Sequence, residues 1–463
     1  MISKQDAKKV LQVCLETGGD FAEIYLENTI HNDLELSSGE ISKSNTSQIY
    51  GAGIRILHQE SEVYGYTNDT SFDGLTNLAE SLAKSYNNKK IDIDFDLVEE
   101  KLDNKHNVLK KPLETTNDEK VKYMRDVYEA ANSYHEDISQ VIVSIWEHNQ
   151  KVTIINTEGK MISDSRTNIR LSLRVIASKD GVMQSASDSI GRNQGFEIFE
   201  NTDLKSFAKK VAESAVKMLT ADEMEGQMLP VVIHNAFGGV ILHEACGHAL
   251  EATSVAKGIS VFSGKLGQKI ASDIVTAVDD GTITNAWGSL NIDDEGTETR
   301  RNVLIENGIL KSYLVDKRNA RKMNCDITAS ARRQSYRYSP TSRMTNTFFV
   351  NGESTFDEII ANTKYGFFAK EMGGGSVNTA TGEFNFTVNE GYMIEDGKIT
   401  RPVRGATLVG NGADVLKKID MVGNNLSSGH GMCGSSSGTI PANVGQPTIR
   451  LSSMTVGGRG GKK

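Results

Sequence analysis

Cysteine is scarce: Cys14, Cys246, Cys325 and Cys433 are the only four thiols in 463 residues. Disulfide frameworks need dense cysteines in short secreted chains, so that class is excluded and reduced thiols are expected. No stretch approaches the ~20 consecutive apolar residues that span a bilayer. The N-terminal segment MISKQDAKKVLQVCLETGGD mixes charge into every turn, which predicts no secretory signal. Basic charge is also short: 51 Lys+Arg against 60 Asp+Glu leave a net charge of -9. Nucleic acids and anionic membrane surfaces select basic patches, so neither is an expected partner. With 38% hydrophobic residues the chain is able to bury a core, and a cytoplasmic protein is expected.

Glycine is unevenly placed. Of 43 glycines, 11 fall in residues 1–225 and 32 in residues 226–463. The second half is therefore expected to be turn-rich and mostly β. Ala7, Val10, Leu11 and Cys14 lie on one face of a helix at 4–17, and further helices are expected near 72–86, 118–134 and 200–220. Strand alternation runs through about 21–66 and 141–187, and 87–116 reads as an exposed connection. The blocks at 36–57 and 155–176 share a turn, a short strand, a Ser-rich bend and a longer strand, a weak internal duplication. The fold class is thus α+β, with an N-terminal domain of sheets and helices at 1–225 and a β-rich C-terminal domain at 226–455 carrying the metal-site helix. Residues 456–463 read as a flexible tail. Asn307-Gly308 and Asp396-Gly397 predict type I′ hairpins. Gly373–Gly375 lacks a following GK[ST], so it is read as a close strand approach, not a phosphate loop.

The chemistry concentrates in NAFGGVILHEACGHALE at 235–251. Asn235 is the expected N-cap of a largely buried helix, into which the sequence sets His243, Glu244 and His248. A buried glutamate beside two imidazoles is costly, and a divalent metal would compensate it. Against this, histidines on apolar faces are often satisfied core residues. A spacing of i, i+5 also puts the two imidazoles roughly 140° apart on a regular α-helix. A π-bulge, or unwinding at Gly247, would bring them together. On the residues alone, a metal site and a packed core both stand.

HEACGH resembles the HExxxH motif of the TldD/PmbA family of metalloproteases. The likeness extends through LNIDDEGTETRRNVLIENGILKSYLVDKRNA (290–320), RRQSYRYSPTSRMTNTFFV (332–350), GGGSVNTATGEFNFTVNEGYMIEDGKI (373–399) and MVGNNLSSGHGMCG...VGQPTIR (421–450). The intact histidine motif is similar to the TldD branch, since PmbA-type chains lack it. The resemblance implies one zinc ion held by His243, His248 and Cys433, with Glu244 as general base. It implies hydrolysis of short or unfolded peptides bound extended against a sheet edge. It also implies a homodimer, or a heterodimer with a PmbA-type subunit. Glu251 is either a partner for a ligand imidazole or a solvated helix-end charge. His430 is an alternative ligand, a substrate contact, or the base of a Cys433 nucleophile; a catalytically silent partner subunit is the remaining reading. Asp293, Asp294 and Glu295 read as a solvated acidic turn or as salt-bridge partners of Arg332, Arg333, Arg337 and Arg343. Those arginines are alternatively a grip for a peptide carboxylate. His234 is expected to be structural.

Overall fold

The computed structural model describes residues 2–378 and 381–458. The expected periodicities form the expected elements. Ser3 accepts a hydrogen bond from the Asp6 amide and starts the helix Lys4–Cys14, whose Ala7, Val10, Leu11 and Cys14 are buried. Helices follow at Phe72–Ala83, Asn117–Asn132 and Leu204–Lys217.

Seven strands build the N-terminal sheet: β1 (Phe21–Ser37), β2 (Glu40–His58), β3 (Ser61–Thr67), β4 (Val98–Glu100), β5 (Ile138–Asn156), β6 (Lys160–Lys179) and β7 (Val182–Asn193). Their order is β3-β2-β1-β5-β6, with β4 and β7 both on β6. Hairpins β1–β2 and β5–β6 meet through antiparallel β1 and β5. Their turns place Gly39 and Gly159 at φ 85° and 86°, where only glycine is unstrained. The strand period of two then sorts the faces. Ile24 and Ile155 pack under the helices Lys4–Cys14 and Phe72–Ala83, whereas Tyr25 and Ile154 pack against Ile292 and Tyr336 of the second half.

Besides the short pair Ala331–Arg332 and Thr341–Ser342, the second half holds two larger β systems. One is a six-stranded sheet whose outer strand, Ser427–Ser435, pairs only with Gly438–Gln446. In the other, Tyr365–Val377, Gln227–Ile233, Ile449–Gly457, Thr407–Asn411 and Glu383–Glu395 pair in sequence, and the last returns to the first. This ring leaves those five strands no open edge. The expected Asn307-Gly308 and Asp396-Gly397 turns have positive φ at both residues. Gly375 lies where a Cβ would sit 2.1 Å from Phe386, so the close approach is real. The tail expected at 456–463 starts too early: Val456 and Gly457 still belong to a ladder, while 459–463 lie outside the described residues. Among the described residues no helix is long and apolar enough to cross a membrane.

The acidic turn is not solvated. Asp293, Asp294 and Glu295 are buried, and Asp294 and Glu295 take charged partners from the first half. Arg166 of β6 donates to Asp294 at 2.6 Å, and Arg55 of β2 donates to Glu295 at 2.7 Å and to Glu23 at 3.1 Å. Of the four arginines considered from sequence, only Arg333 joins this network, bonding Glu23 at 2.6 Å and Asp294 through its amide at 2.7 Å. Arg332 is spent on the Met344 and Pro441 carbonyls, and Arg337 lies beside Tyr336. Buried charges persist only when each has a partner. Replacing Arg55 with Met removes the guanidinium partner of Glu295 and one of the two that hold Glu23, and is expected to cost about 3–5 kcal/mol. Urea unfolding checks this, and an unmoved first transition would contradict it.

Candidate metal centre

The motif helix is broken in the way the spacing demands. Ala236–Gly239 is a 3₁₀ turn, Val240–Leu242 one α-turn, His243–Gly247 a π-turn and His248–Leu250 α-helical again. The π-turn's i→i+5 repeat restores to one side two residues that a regular helix would splay apart. The His243 and His248 rings stand 5.0 Å apart, edge to face at 85°. Asn235 precedes the 3₁₀ turn but does not cap it; its amide donates to the Asn425 carbonyl at 2.8 Å.

Two close approaches hold the turn. A Cβ on Gly247 would lie 2.1 Å from the Met344 sulfur, and one on Gly412 would lie 2.0 Å from the Ala245 carbonyl oxygen. The helix Gly412–Lys418 therefore sits directly on the π-turn backbone, which only glycine permits.

Cys433 arrives from the strand Ser427–Ser435. Its sulfur is 3.2 Å from His243 Nε2 and 3.4 Å from His248 Nε2, and the three donor atoms lie within 4.8 Å of one another. Burial pushes the Cys433 thiol up, but the two imidazoles outweigh it and hold the thiol at about 3. Burial lowers His248, and Glu251 with Cys433 outweighs that, raising it well above the ordinary imidazole range. Cys433 is thus a thiolate beside a protonated His248, and a divalent cation would take that proton's place on binding. Cys14 and Cys246 are pushed up to about 12 by burial, and Cys325 is exposed on its own loop.

Glu244 lies beside the cluster, its carboxylate 3.7 Å from His248 Nε2, with a quarter of the side chain exposed where the others are nearly closed off. Glu251 is buried, so the solvated-charge reading is wrong. Its carboxylate is 3.2 Å from His248 Nδ1, the position that turns Nε2 toward Cys433. Arg343 is also buried, and it ties the parts together. It donates to the Cys433 carbonyl at 2.6 Å and to Ser437 at 2.9 Å, and its Nε is 3.8 Å from Glu251. It grips the thiol's strand and is not free to meet a substrate. His243 Nδ1 is buried with no protein partner.

His430 does not face Cys433. Its Nε2 accepts from Arg192 at 2.6 Å, and its Nδ1 faces the Ser189 carbonyl at 3.2 Å. It is neither a fourth donor nor the base of a Cys433 nucleophile. His234 packs on Phe356 and Phe368, as a structural residue does. The roles of Arg343, Gly412 and Met344 had no local signature, because each contact spans at least 90 positions.

Three family models cover the chain. The PmbA/TldA metallopeptidase domain 1 matches 22–85, the central domain 110–219 and the C-terminal domain 225–458. A metalloprotease TldD homolog of Haemophilus influenzae is 35% identical over 99% of this chain and 97% of its own length. A zinc metalloprotease TldD homolog of Saccharolobus solfataricus is 24% identical, covering 97% of this chain and 99% of its own. The crystal structure of TldE from Thermococcus kodakarensis superposes with a TM-score of 0.77 at 18% identity, over 98% of this chain and all of that one, which shows the shared fold.

Gly412→Ala is expected to cost about 1–3 kcal/mol, because its new methyl meets backbone. Gly247→Ala meets the end of a flexible methionine and should cost less. Thermal unfolding of both variants checks the order, and equal or reversed effects would contradict this packing.

Proposed function

Because this chain belongs to the PmbA/TldD metallopeptidase family, we propose that it is a zinc-dependent peptidase of the TldD branch. In this reading His243, His248 and Cys433 hold one zinc ion, and Glu244 is the general base. The observation that carries the reading is the convergence of two imidazoles and a thiolate within 4.8 Å, with a half-open carboxylate beside them. The donor set fits zinc, which favours nitrogen and sulfur ligands. Three protein donors are the catalytic pattern, whereas structural sites are closed by four.

Zinc bound there would supply Lewis acidity toward a water molecule and a peptide carbonyl. The protein's own work is positional. Glu244 stands at the open side of the cluster, where its carboxylate accepts a proton from water and passes it to the departing amine. Glu251 fixes the His248 ring through Nδ1, and Arg343 fixes the strand that carries the thiol. A cleft of about 910 Å³ runs from this strand between the two halves, bordered by the outer strands Val182–Asn193 and Ser427–Ser435. Two open strand edges suit an extended peptide held by main-chain hydrogen bonds with little regard for sequence. Folded proteins present no such strand, so short or unfolded peptides are the proposed substrates.

The same reading divides the chain at 225/226 and pairs it as a homodimer or with a PmbA-type subunit. The likeness to TldE supports a fold common to both kinds of subunit. Four unpaired cysteines suit a reducing compartment, and we place the protein in the cytoplasm.

Glu244→Gln should keep its zinc, measured by mass spectrometry of the metal, and lose roughly 10²–10⁴-fold in peptide hydrolysis. Full activity would remove Glu244 as base. Cys433→Ala should lower the zinc content, and Glu251→Gln should weaken zinc affinity by roughly 10–100-fold. Unchanged metal binding in Cys433→Ala would move the third ligand elsewhere. Inhibition by a chelator with rescue by zinc separates this reading from a thiol nucleophile, which alkylation alone would silence.

A further inference from the structure

Beside the metal centre, two half-buried guanidinium groups have no carboxylate. Arg170 of β6 and Arg192 of β7 make no ion pair with any described residue. Arg170 lies over the Trp287 ring, 5.4 Å from its centroid, and its Nε is buried without a hydrogen-bond partner. Trp287 in turn donates from its indole N–H to the Gly431 carbonyl at 2.7 Å. Arg192 donates to the Gly191 carbonyl at 3.0 Å and to His430 Nε2 at 2.6 Å. Accepting at Nε2, His430 carries its proton on Nδ1 toward the Ser189 carbonyl, so the imidazole is neutral and aims Arg192 without cancelling its charge.

Arg192 is thus held directly by His430, and Arg170 only through Trp287 by Gly431, three and two positions from Cys433. At about 3.3 Å per strand residue, positions 430 and 431 lie roughly 7–10 Å along the strand from position 433. Of the other cations lining the cleft, Arg174 is solvent-exposed and the two lysines are paired. Lys370 pairs with Glu390 at 2.7 Å and Lys210 with Glu371 at 3.9 Å. Asp188 accepts from the Ser189 amide and Glu35 from Ser42, so neither serves the arginines. Burial draws both guanidinium groups below their ordinary range with nothing opposing it. A wall of this kind is electrostatically complete only with an anion present.

We propose that Arg170 and Arg192 form a subsite that grips the C-terminal carboxylate of a peptide bound along the strand Ser427–Ser435. A guanidinium fork matches a carboxylate in shape and charge. The inference rests on the peptidase reading for its ligand. An acidic side chain near the peptide end offers the same chemistry.

The test is equilibrium binding, by fluorescence anisotropy, to the full chain carrying Glu244→Gln. Three labelled peptides of one sequence are compared: free carboxylate, carboxamide, and carboxamide with glutamate as the last residue. The free acid should bind roughly tenfold or more tightly than the plain amide, the worth of a charge-assisted hydrogen bond. In Arg192→Met that ratio should fall toward one, and Arg192→Lys should keep part of it. An advantage shown only by the glutamate peptide overturns the terminal assignment in favour of a side chain. Equal affinity of all three peptides, or an advantage that survives Arg192→Met, overturns the subsite. Should Arg192→Met not fold, the ratio before that substitution decides. A zinc-loaded wild-type chain that binds with acid preference yet cleaves none of the three peptides overturns the peptidase reading and leaves the subsite standing.

Discussion

Two imidazoles five residues apart cannot meet one thiol from a regular α-helix, and the π-turn at His243–Gly247 removes that obstacle. Everything near the site serves this single irregularity. Gly412 lets a helix rest on the Ala245 carbonyl, and Gly247 lets Met344 close against the turn. Glu251, just past the turn, then fixes the second ring. A π-turn carries poorer hydrogen bonds than the helix around it, so it persists only where packing and side-chain chemistry hold it. Here the thiolate facing both rings is part of that hold.

The thiol is itself placed from a distance. Cys433 lies near the end of an outer strand, and its position depends on Arg343, which bonds the Cys433 carbonyl from within the core and approaches Glu251 from behind. One guanidinium thus links the orientation of His248 to the location of the sulfur. Farther out, the buried network of Glu23, Arg55, Arg166, Asp294, Glu295 and Arg333 locks the N-terminal sheet onto the C-terminal half. That locking gives the cleft its two walls: β6 and β7 on one side, the strand of Cys433 on the other. The first half therefore shapes the space in which the second half's donors work.

Much of this was legible in the residues. The helix Lys4–Cys14 shows its buried face in the spacing of Ala7, Val10, Leu11 and Cys14, and the Asn-Gly and Asp-Gly turns carry their own backbone requirement. The i, i+5 spacing of His243 and His248 announced that a regular helix would not suffice. What stayed hidden depends on contacts across the chain. Asp293, Asp294 and Glu295 look like a solvated turn until Arg55 and Arg166 arrive from more than 120 positions away. Glu251 looks like a helix end in water until Arg343 buries it. Asn235 has the right identity for a cap, yet tertiary structure gives its amide to Asn425. Local pattern names the element; the partners of a buried charge are set by topology.

The proposed metal centre stands or falls on sulfur in the metal's coordination. Zinc K-edge X-ray absorption of the purified protein is the direct measurement. It should show one zinc–sulfur distance near ~2.3 Å with two imidazole nitrogens at about 2.0–2.1 Å. A shell of nitrogen and oxygen alone, with no sulfur, would contradict the site built from His243, His248 and Cys433.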